Sequence, residues 1–180
     1  MDKFYTMKIA GLERNLPICA AGPKLDIAGF IMFSDVELTI ACAKELLARS
    51  PEFDIILTAE SKGIPLAYEM ARQSGKNYIL ARKGVKLYMT DPIKVEVKSI
   101  TTANVQTLYI DRHDKEKMDG KRVLIVDDVI STGESIRALE ELVSHTTATI
   151  VGKATVLAEG SAAKRDDIIF LEPLPLFFHD

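Results

Sequence analysis

Residues 120–137 read GKRVLIVDDVISTGESIR, and this stretch decides the fold. The apolar run Val123–Val126 predicts a buried strand, and two adjacent carboxylates, Asp127 and Asp128, follow it. The run STGES at 131–135 then leads into a predicted helix. Strands that alternate with helices form parallel sheets, and such sheets bind ligands at the carboxyl ends of their strands. The stretch therefore predicts an α/β fold with a ligand site beside the carboxylates.

The rest of the chain alternates strands and helices around this stretch. Strands are predicted at 53–57, 77–81, 122–126, 148–157 and 168–171, and helices at 35–49, 64–74 and 134–144, the first capped by Ser34 or Asp35. Residues 15–33 indicate short strands and turns, 82–110 a β-hairpin excursion, and 111–122 a solvated turn. This order predicts a doubly wound, mostly parallel sheet flanked by helices.

Composition indicates a cytoplasmic protein of one domain. With 180 residues, of which 47% are hydrophobic and 27% charged, the chain can bury a core. No apolar run reaches the roughly 20 residues that span a bilayer, and the N-terminus lacks a signal-peptide pattern. The net charge of −3, without a dense basic run, argues against nucleic-acid binding, so we expect neither a nucleic-acid nor a membrane partner. Cys19 and Cys42 lack metal spacing and are predicted to be small buried side chains.

The two carboxylates and the turn after them fit a sugar phosphate. Asp127 and Asp128 repel each other by about 1 kcal/mol or more, and sugar hydroxyls or a divalent cation would relieve that repulsion. Gly133 permits close backbone approach, and the free N–H groups at a helix start favour phosphate, with Thr132 and Ser135 as hydroxyl donors. An ordinary N-capping loop explains the carboxylates alone but not the whole arrangement. The pattern predicts a ribose 5-phosphate site.

Other catalytic motifs are missing from the sequence. It contains no GxxxxGK[ST] loop, no GxGxxG after a strand and no GxSxG elbow. The histidines at 113, 145 and 179 have no zinc-ligand spacing. Nucleotide hydrolysis, dinucleotide binding and zinc chemistry therefore lose support.

Several segments resemble the type I phosphoribosyltransferases. VLIVDDVISTGES at 123–135 resembles their thirteen-residue signature for 5-phosphoribosyl 1-pyrophosphate. ESKG at 60–63 resembles the diphosphate loop, which reads ESRG in the adenine enzymes, and ARKG at 81–84 resembles the opening of the mobile loop in the adenine and xanthine enzymes. The tail PLPLFF at 173–178 is also similar to the adenine enzymes. The resemblance is therefore to the purine branch.

The resemblance implies a role for each matching residue. Asp127, Asp128, Arg82 and Lys83 are the implied catalytic residues; Ser131, Thr132, Gly133, Glu134 and Ser135 bind the 5-phosphate; Glu60, Ser61, Lys62, Gly63 and Arg82 bind the diphosphate; Ile27, Phe30, Ser131 and Gly160 line the base site. Mg²⁺ is implied as cofactor, bound through the substrate with Asp127 and Asp128 as candidate ligands. A homodimer is implied as well.

The implied domain is single and spans 1–180. It comprises a hood at 1–34, a core at 35–172 with the mobile loop at 82–110, and a tail at 173–180. The implied reaction is that of a pentosyltransferase of purine salvage. It transfers ribose 5-phosphate to N9 of a purine, with adenine as the first choice, and releases pyrophosphate.

Two departures from the adenine enzymes leave alternatives open. SITTAN at 99–104 replaces their Tyr-x-x-Glu-Tyr-Gly, and Ala28-Gly29-Phe30 replaces their Phe-Arg-Asp in the hood. Phe30 is predicted as a core residue more than as a base-stacking one. The alternatives are xanthine or another base as acceptor, hydrolysis or a non-purine acceptor, and a non-catalytic sensor of 5-phosphoribosyl 1-pyrophosphate. No helix-turn-helix pattern precedes the first predicted helix.

Overall fold

The chain folds into a central parallel sheet, a smaller antiparallel sheet, a two-stranded antiparallel hairpin and four α-helices, as seen in a computed structural model that describes residues 3–98 and 105–179. In chain order the elements are β1 (Phe4–Ile9), β2 (Leu12–Gly22), β3 (Leu25–Ala28), α1 (Val36–Arg49), β4 (Ile55–Ala59), α2 (Ile64–Ser74), β5 (Asn77–Ala81), β6 (Ile93–Lys98), β7 (Val105–Ile110), α3 (Arg112–Met118), β8 (Arg122–Ile130), α4 (Glu134–Ser144), β9 (Thr149–Glu159), a 3-10 helix at Gly160–Lys164, β10 (Ile169–Leu174) and β11 (Leu176–Phe178).

The central sheet has the order β10-β9-β8-β4-β5, and every neighbouring pair is parallel. This confirms the predicted α/β class. Residues of β8 alternate between two cores: Leu124 and Val126 pack with α1 and α2, whereas Val123 and Ile125 pack with α4 and the β6–β7 hairpin. Because both faces of the sheet are covered, residues Val123–Val126 of β8 form a continuous apolar run.

The predicted hood and tail share one antiparallel sheet, in the order β1-β2-β3-β11. β11 pairs with β3, with Leu176 opposite Ile27. The last strand of the chain therefore lies in the same sheet as the first three. The hood packs on the core through α1, where Arg14 Nε lies 2.7 Å from Asp35 Oδ2. Asp35 also caps α1, because its side chain accepts a hydrogen bond from Leu38 N–H.

Several predicted boundaries are wrong. β8 continues through Asp127 and Asp128 to Ile130, because Asp127 and Ile130 pair with Thr155 and Ala158 of β9. The carboxylates therefore lie inside the last part of the strand and not after it. β4 begins two residues later than predicted and ends at Ala59, and β9 and β10 extend to Glu159 and Leu174.

The segment at 111–122 was predicted as a solvated turn, and this is wrong. Asp111 caps the short helix α3, and Met118 in its last turn is fully buried. One buried apolar side chain in a charged run is enough to dock such a helix. The prediction that both cysteines are buried is also wrong, because Cys42 is buried in α1 but Cys19 is exposed on the hood sheet.

The other predicted helices and the hairpin are confirmed. α2 has Pro65 in its first turn and ends at Gly75, which adopts the left-handed conformation that few other residues tolerate. β6 and β7 form the hairpin, although the predicted departure at 99–104 lies outside the described residues. Within 3–98 and 105–179, no helix is long and apolar enough to cross a membrane.

Candidate active site

A cleft of about 370 Å³ opens where the carboxyl ends of β4 and β8 lie side by side. Its polar lining comes from five separate segments: Glu60, Ser61 and Lys62 after β4, Lys83 after β5, Gln106 on β7, Asp127 and Asp128 on β8, and Ser135 on α4. The structure thus brings the predicted diphosphate residues and the predicted ribose residues to one place. Gln106 was not predicted, because nothing in an alternating hairpin sequence marks which residue faces a cleft.

The two carboxylates occupy different environments although they are adjacent. Asp127 is half-buried and its Oδ1 accepts a hydrogen bond from Asp128 N–H at 2.9 Å. Burial, together with the neighbouring charge of Asp128, raises the pKa of Asp127 well above the ordinary carboxyl value. Asp128 is 3% exposed, and among the described residues its buried Oδ2 has no hydrogen-bond donor. An unpartnered buried carboxylate oxygen is costly, so it indicates a ligand that donates to it or coordinates it.

Lys62 is the cation that faces Asp128. Its Nζ lies 3.6 Å from Asp128 Oδ2, which is longer than a hydrogen bond, and its side chain is 53% exposed at the cleft. An anion of the substrate can therefore reach Lys62 beside the carboxylates. The peptide bond before Ser61, in the same loop, is cis.

Gly63 lies beside the cleft, where the loop after β4 approaches Thr58 and Asp127 closely. A Cβ at this position would lie 2.6 Å from Thr58 Oγ1 and 3.1 Å from Asp127 Oδ1. The backbone conformation of Gly63 is an ordinary helical one, so the requirement for glycine here is close approach and not conformational freedom. The glycine lets the loop after β4 pack against the end of β8.

Glu60 connects the predicted diphosphate loop to the predicted pair of basic residues. Its Oε1 lies 3.1 Å from Arg82 Nε, and its Oε2 accepts a hydrogen bond from Lys83 N–H at 2.9 Å. The Lys83 N–H and the Arg82 guanidinium hold the pKa of the Glu60 carboxyl below its usual range. Arg82 Nη1 also donates to the hydroxyl of Tyr88 at 2.7 Å. Glu60 therefore positions cations more than it binds an anion itself.

The predicted phosphate loop is a small hollow of about 110 Å³ lined by residues 131–136 and the end of β8. Gly133 has φ +81°, which only glycine adopts without strain, and this turn starts α4 with no side-chain cap. A helix start of this kind, with no side-chain cap at Gly133, favours an anion. Ser135 lines both this hollow and the larger cleft. Its Oγ lies 3.1 Å from Nε2 of Gln106, which also lines the larger cleft.

The predicted base residues are distributed over the hood and the end of β9. Ile27 faces Leu176 across the antiparallel pair, and a Cβ at Gly160 would lie 2.8 Å from Leu176 Cδ1. Leu176 therefore lies next to two residues predicted from separate segments, although it was not itself predicted as a site residue. Phe30 is 3% exposed and packs in the hydrophobic core, as the core interpretation predicted, whereas Ser131 lies exposed on the phosphate loop.

The carboxylates alone do not form a metal site. Among the described residues no group of three or more histidine, cysteine, aspartate or glutamate side chains could hold a metal ion. Asp127 and Asp128 offer hard oxygen ligands, and Asp128 Oδ2 has no donor, so these residues fit a Mg²⁺ ion that takes its other ligands from substrate and water.

The sheet order, the paired carboxylates at the end of β8 and the glycine turn before α4 define a class: an α/β protein that binds a sugar phosphate at the carboxyl edge of its sheet. The profile of the family described as "Phosphoribosyl transferase domain" matches residues 38–174. The chain belongs to the phosphoribosyltransferase family. The predicted family is thereby confirmed, and with it the predicted reaction class, transfer of a phosphoribosyl group.

Individual relatives agree with this assignment. Over 136 residues the chain is 32% identical to an adenine phosphoribosyltransferase of Rhodococcus jostii, covering 75% of this chain and 74% of that protein. It is 30% identical over 138 residues to a xanthine phosphoribosyltransferase of an Exiguobacterium species, covering 75% and 70%. The fold matches a crystal structure of adenine phosphoribosyltransferase from Thermoanaerobacter pseudethanolicus with a TM-score of 0.66 at 24% identity, over 79% of this chain and 84% of that one.

Proposed function

We propose that the chain transfers ribose 5-phosphate from 5-phosphoribosyl 1-pyrophosphate to N9 of adenine, forming AMP and pyrophosphate. The observation that carries the proposal is the buried Asp128 Oδ2, which lacks a donor among the described residues and lies in the cleft 3.6 Å from Lys62 Nζ. The ribose of 5-phosphoribosyl 1-pyrophosphate fits that position because its hydroxyls donate to carboxylates, and its 5-phosphate and 1-diphosphate extend in opposite directions from the ring. The relative from Rhodococcus jostii, an adenine enzyme, supports the choice of base.

The two anionic ends of the substrate would be held by different chemistry. The backbone N–H groups at the start of α4 and the hydroxyls of Thr132 and Ser135 would bind the 5-phosphate. Lys62, Lys83 and Arg82 would bind the diphosphate, with Arg82 and Lys83 oriented by Glu60. Each end of the substrate would thus be bound by groups that the fold already holds in place.

Displacement at C1 of the ribose places positive charge on the sugar and negative charge on the leaving diphosphate. Asp127 and Asp128 would stabilise the first, and Lys62 and Arg82 the second. Substrate binding would lower the raised pKa of Asp127, because hydroxyl donors favour the charged form of a carboxylate. A Mg²⁺ ion bound through the substrate would supply further charge neutralisation at the diphosphate.

The base would lie between the hood and the end of β9, near Ile27 and Gly160. The half-buried Leu176 forms part of the wall between them. Phe30 would support this wall from the core and not stack on the base. Acceptance of xanthine is the second candidate, and the relative from Exiguobacterium supports it.

The test is an activity screen with 5-phosphoribosyl 1-pyrophosphate, Mg²⁺ and one base at a time. The bases are adenine, guanine, hypoxanthine, xanthine, uracil and orotate, and the measured quantity is pyrophosphate release together with nucleotide formation. We expect the highest kcat/KM with adenine. Highest activity with xanthine would favour the second candidate. Pyrophosphate release without nucleotide would indicate hydrolysis, and tight substrate binding without turnover on any base would favour a sensor.

The proposal includes a Mg²⁺ requirement, a cytoplasmic location and a homodimer. For the dimer, the supporting observation is an apolar cavity of about 230 Å³ between α1 and α2, with exposed Val36, Ile40 and Tyr68 at its edge. Exposed apolar residues grouped around a cavity are typical of surfaces that another protein covers. The measurement is the molar mass in solution by light scattering, with Ile40→Glu as the variant expected to be monomeric and the exposed Lys44→Glu on the same helix as its control.

A further inference from the structure

One arginine outside every predicted motif lies against the phosphate loop. Arg165 follows the 3-10 helix Gly160–Lys164, and its Nη1 is 2.8 Å from the position that a Cβ on Gly133 would occupy. Gly133 is the residue before α4, in the turn that forms the phosphate hollow. The guanidinium therefore packs against the turn at Gly133, and Arg165 is not among the residues that line the hollow.

The position of this guanidinium is fixed by acidic partners. Asp167 receives hydrogen bonds from Arg165 Nε at 2.8 Å and from Nη2 at 2.7 Å, which leaves Nη1 as the nitrogen nearest Gly133. Asp167 also accepts from Lys153 Nζ, which in turn contacts Glu140 of α4. A bidentate pair in a network holds an arginine side chain in one orientation more firmly than a single exposed ion pair does.

A cation at this place is electrostatically unusual. The amino end of α4 carries the positive end of the helix dipole, so it favours anions and disfavours cations. Lys153 adds a second positive charge to the same network, with Asp167 and Glu140 as the opposing charges. A dianionic phosphate in the hollow would interact favourably with both the start of α4 and the Arg165 guanidinium next to Gly133.

We propose that Arg165 is a positioning residue of the 5-phosphate subsite. Its guanidinium supports the turn at Gly133 and adds positive charge that favours the dianionic form of the phosphate. The inference rests on the proposed function, since it assumes that the 5-phosphate binds in the hollow lined by residues 131–136. It also adds a second reason for glycine at 133, because a larger side chain would displace the guanidinium.

The test compares binding of ribose 5-phosphate and of pyrophosphate by calorimetry to the full chain and its variants. Arg165→Gln removes the charge, Arg165→Lys keeps it, and Lys164→Gln is the matched control that removes an exposed charge one residue away. We expect Arg165→Gln to weaken ribose 5-phosphate binding about tenfold at pH 8, with pyrophosphate binding and the control unchanged. The loss should be smaller at pH 5.5, because the second pKa of a phosphate ester is about 6.

A purely structural role would give a different result. Equal weakening of both ligands, or the same loss at both pH values, would overturn the proposal, and so would unchanged binding of ribose 5-phosphate. If Arg165→Gln does not fold, Arg165→Lys decides: affinity within about threefold of the wild type at pH 8 supports the charge role, and a tenfold loss contradicts it.

If the wild-type chain binds neither ribose 5-phosphate nor 5-phosphoribosyl 1-pyrophosphate, the proposed function fails together with this inference. If the wild type binds and Arg165→Gln binds equally well, only the inference fails.

Discussion

The phosphate end and the base end of the proposed site are built in different ways. At the phosphate end, Asp127, Asp128 and the turn at 131–135 lie within nine consecutive residues, and their chemistry is that of charges and backbone N–H groups. At the base end, Ile27, Gly160 and Leu176 come from the hood, the end of β9 and the tail, and they meet through apolar contact.

This difference predicts how substitutions at the two ends would act. Binding of the sugar phosphates needs fixed donors and acceptors, which a rigid strand–turn–helix unit supplies in a short sequence. Selection of a base depends on the shape of an apolar wall, where changes of one methyl group alter the affinity only moderately. We therefore expect substitutions at the phosphate end to affect all bases strongly, and substitutions at the base end to affect the choice of base mildly.

The largest effect is expected when both carboxylates are neutralised. Asp127→Asn with Asp128→Asn replaces one acceptor oxygen of each carboxylate by an NH2 donor and removes the charge that stabilises the reacting sugar, so kcat should fall by about 100-fold or more with every accepted base. Steady-state kinetics with 5-phosphoribosyl 1-pyrophosphate measure this. The control is Glu13→Gln with Glu52→Gln, which removes two exposed carboxylates elsewhere on the chain. Unchanged turnover in the Asp variant would refute the role given to β8.

The second effect is expected at Gly63, beside the cleft. Gly63→Ala places a Cβ 2.6 Å from Thr58 Oγ1, so the loop must move and kcat/KM for 5-phosphoribosyl 1-pyrophosphate should fall by about tenfold or more. Thr58→Ala should restore part of this loss in the double variant, because Thr58 Oγ1 has no hydrogen-bond partner among the described residues. Gly22→Ala is the control, since a Cβ there meets nothing within 4 Å. Full activity of Gly63→Ala would contradict the close-approach argument.

The residues of the phosphate end could be predicted from the sequence better than those of the base end. Asp127, Asp128 and the STGES turn could be assigned because strand, carboxylates and helix start are contiguous, so local rules decide their geometry. The end of β8 was misplaced, since its pairing with Thr155 and Ala158 of β9 is a tertiary contact that a local pattern does not contain. The local sequence therefore predicts which residues form the site, whereas their exact position in the strand depends on tertiary pairing.

Residues that act across long sequence separations were not predictable. Leu176 reaches Gly160 only because the tail pairs with β3, and Gln106 faces the cleft only because the hairpin packs on α4. Arg165 reaches Gly133 from a segment 32 positions away in the numbering, with no motif to mark it. The short helix α3 was missed because one buried Met118 outweighs a run of charges.

A moderate effect is expected at the base end. Gly160→Ala combines a strained φ of +58° with a Cβ 2.8 Å from Leu176 Cδ1, so the wall should shift and the KM for adenine should rise about fivefold. The KM for 5-phosphoribosyl 1-pyrophosphate should stay within about twofold. Gly120→Ala is a matched control, with φ +73° and nothing within 4 Å of its Cβ. An equal rise in both KM values would remove the distinction between the two ends.

The smallest effect concerns the stability of the ligand-free protein. The pKa of Asp127 is raised, so the folded state binds this proton more tightly than the unfolded state does, and the group lowers stability as pH rises above about 4. Asp127→Asn should therefore raise the Tm at pH 7.5 by about 2–4 °C, and the difference from the wild type should shrink towards pH 4.

Asp54 is the opposite case, because the hydrogen bonds from Arg122 lower its pKa. Its stabilising contribution is present above about pH 4 and lost below it, so Asp54→Asn should lower the Tm at pH 7.5. Thermal unfolding from pH 4 to pH 8 measures both variants. If Asp127→Asn lowered the Tm at neutral pH, the carboxylate pair would be a stabilising element of the fold, and the phosphate end would not carry the stability cost of an unoccupied ligand site.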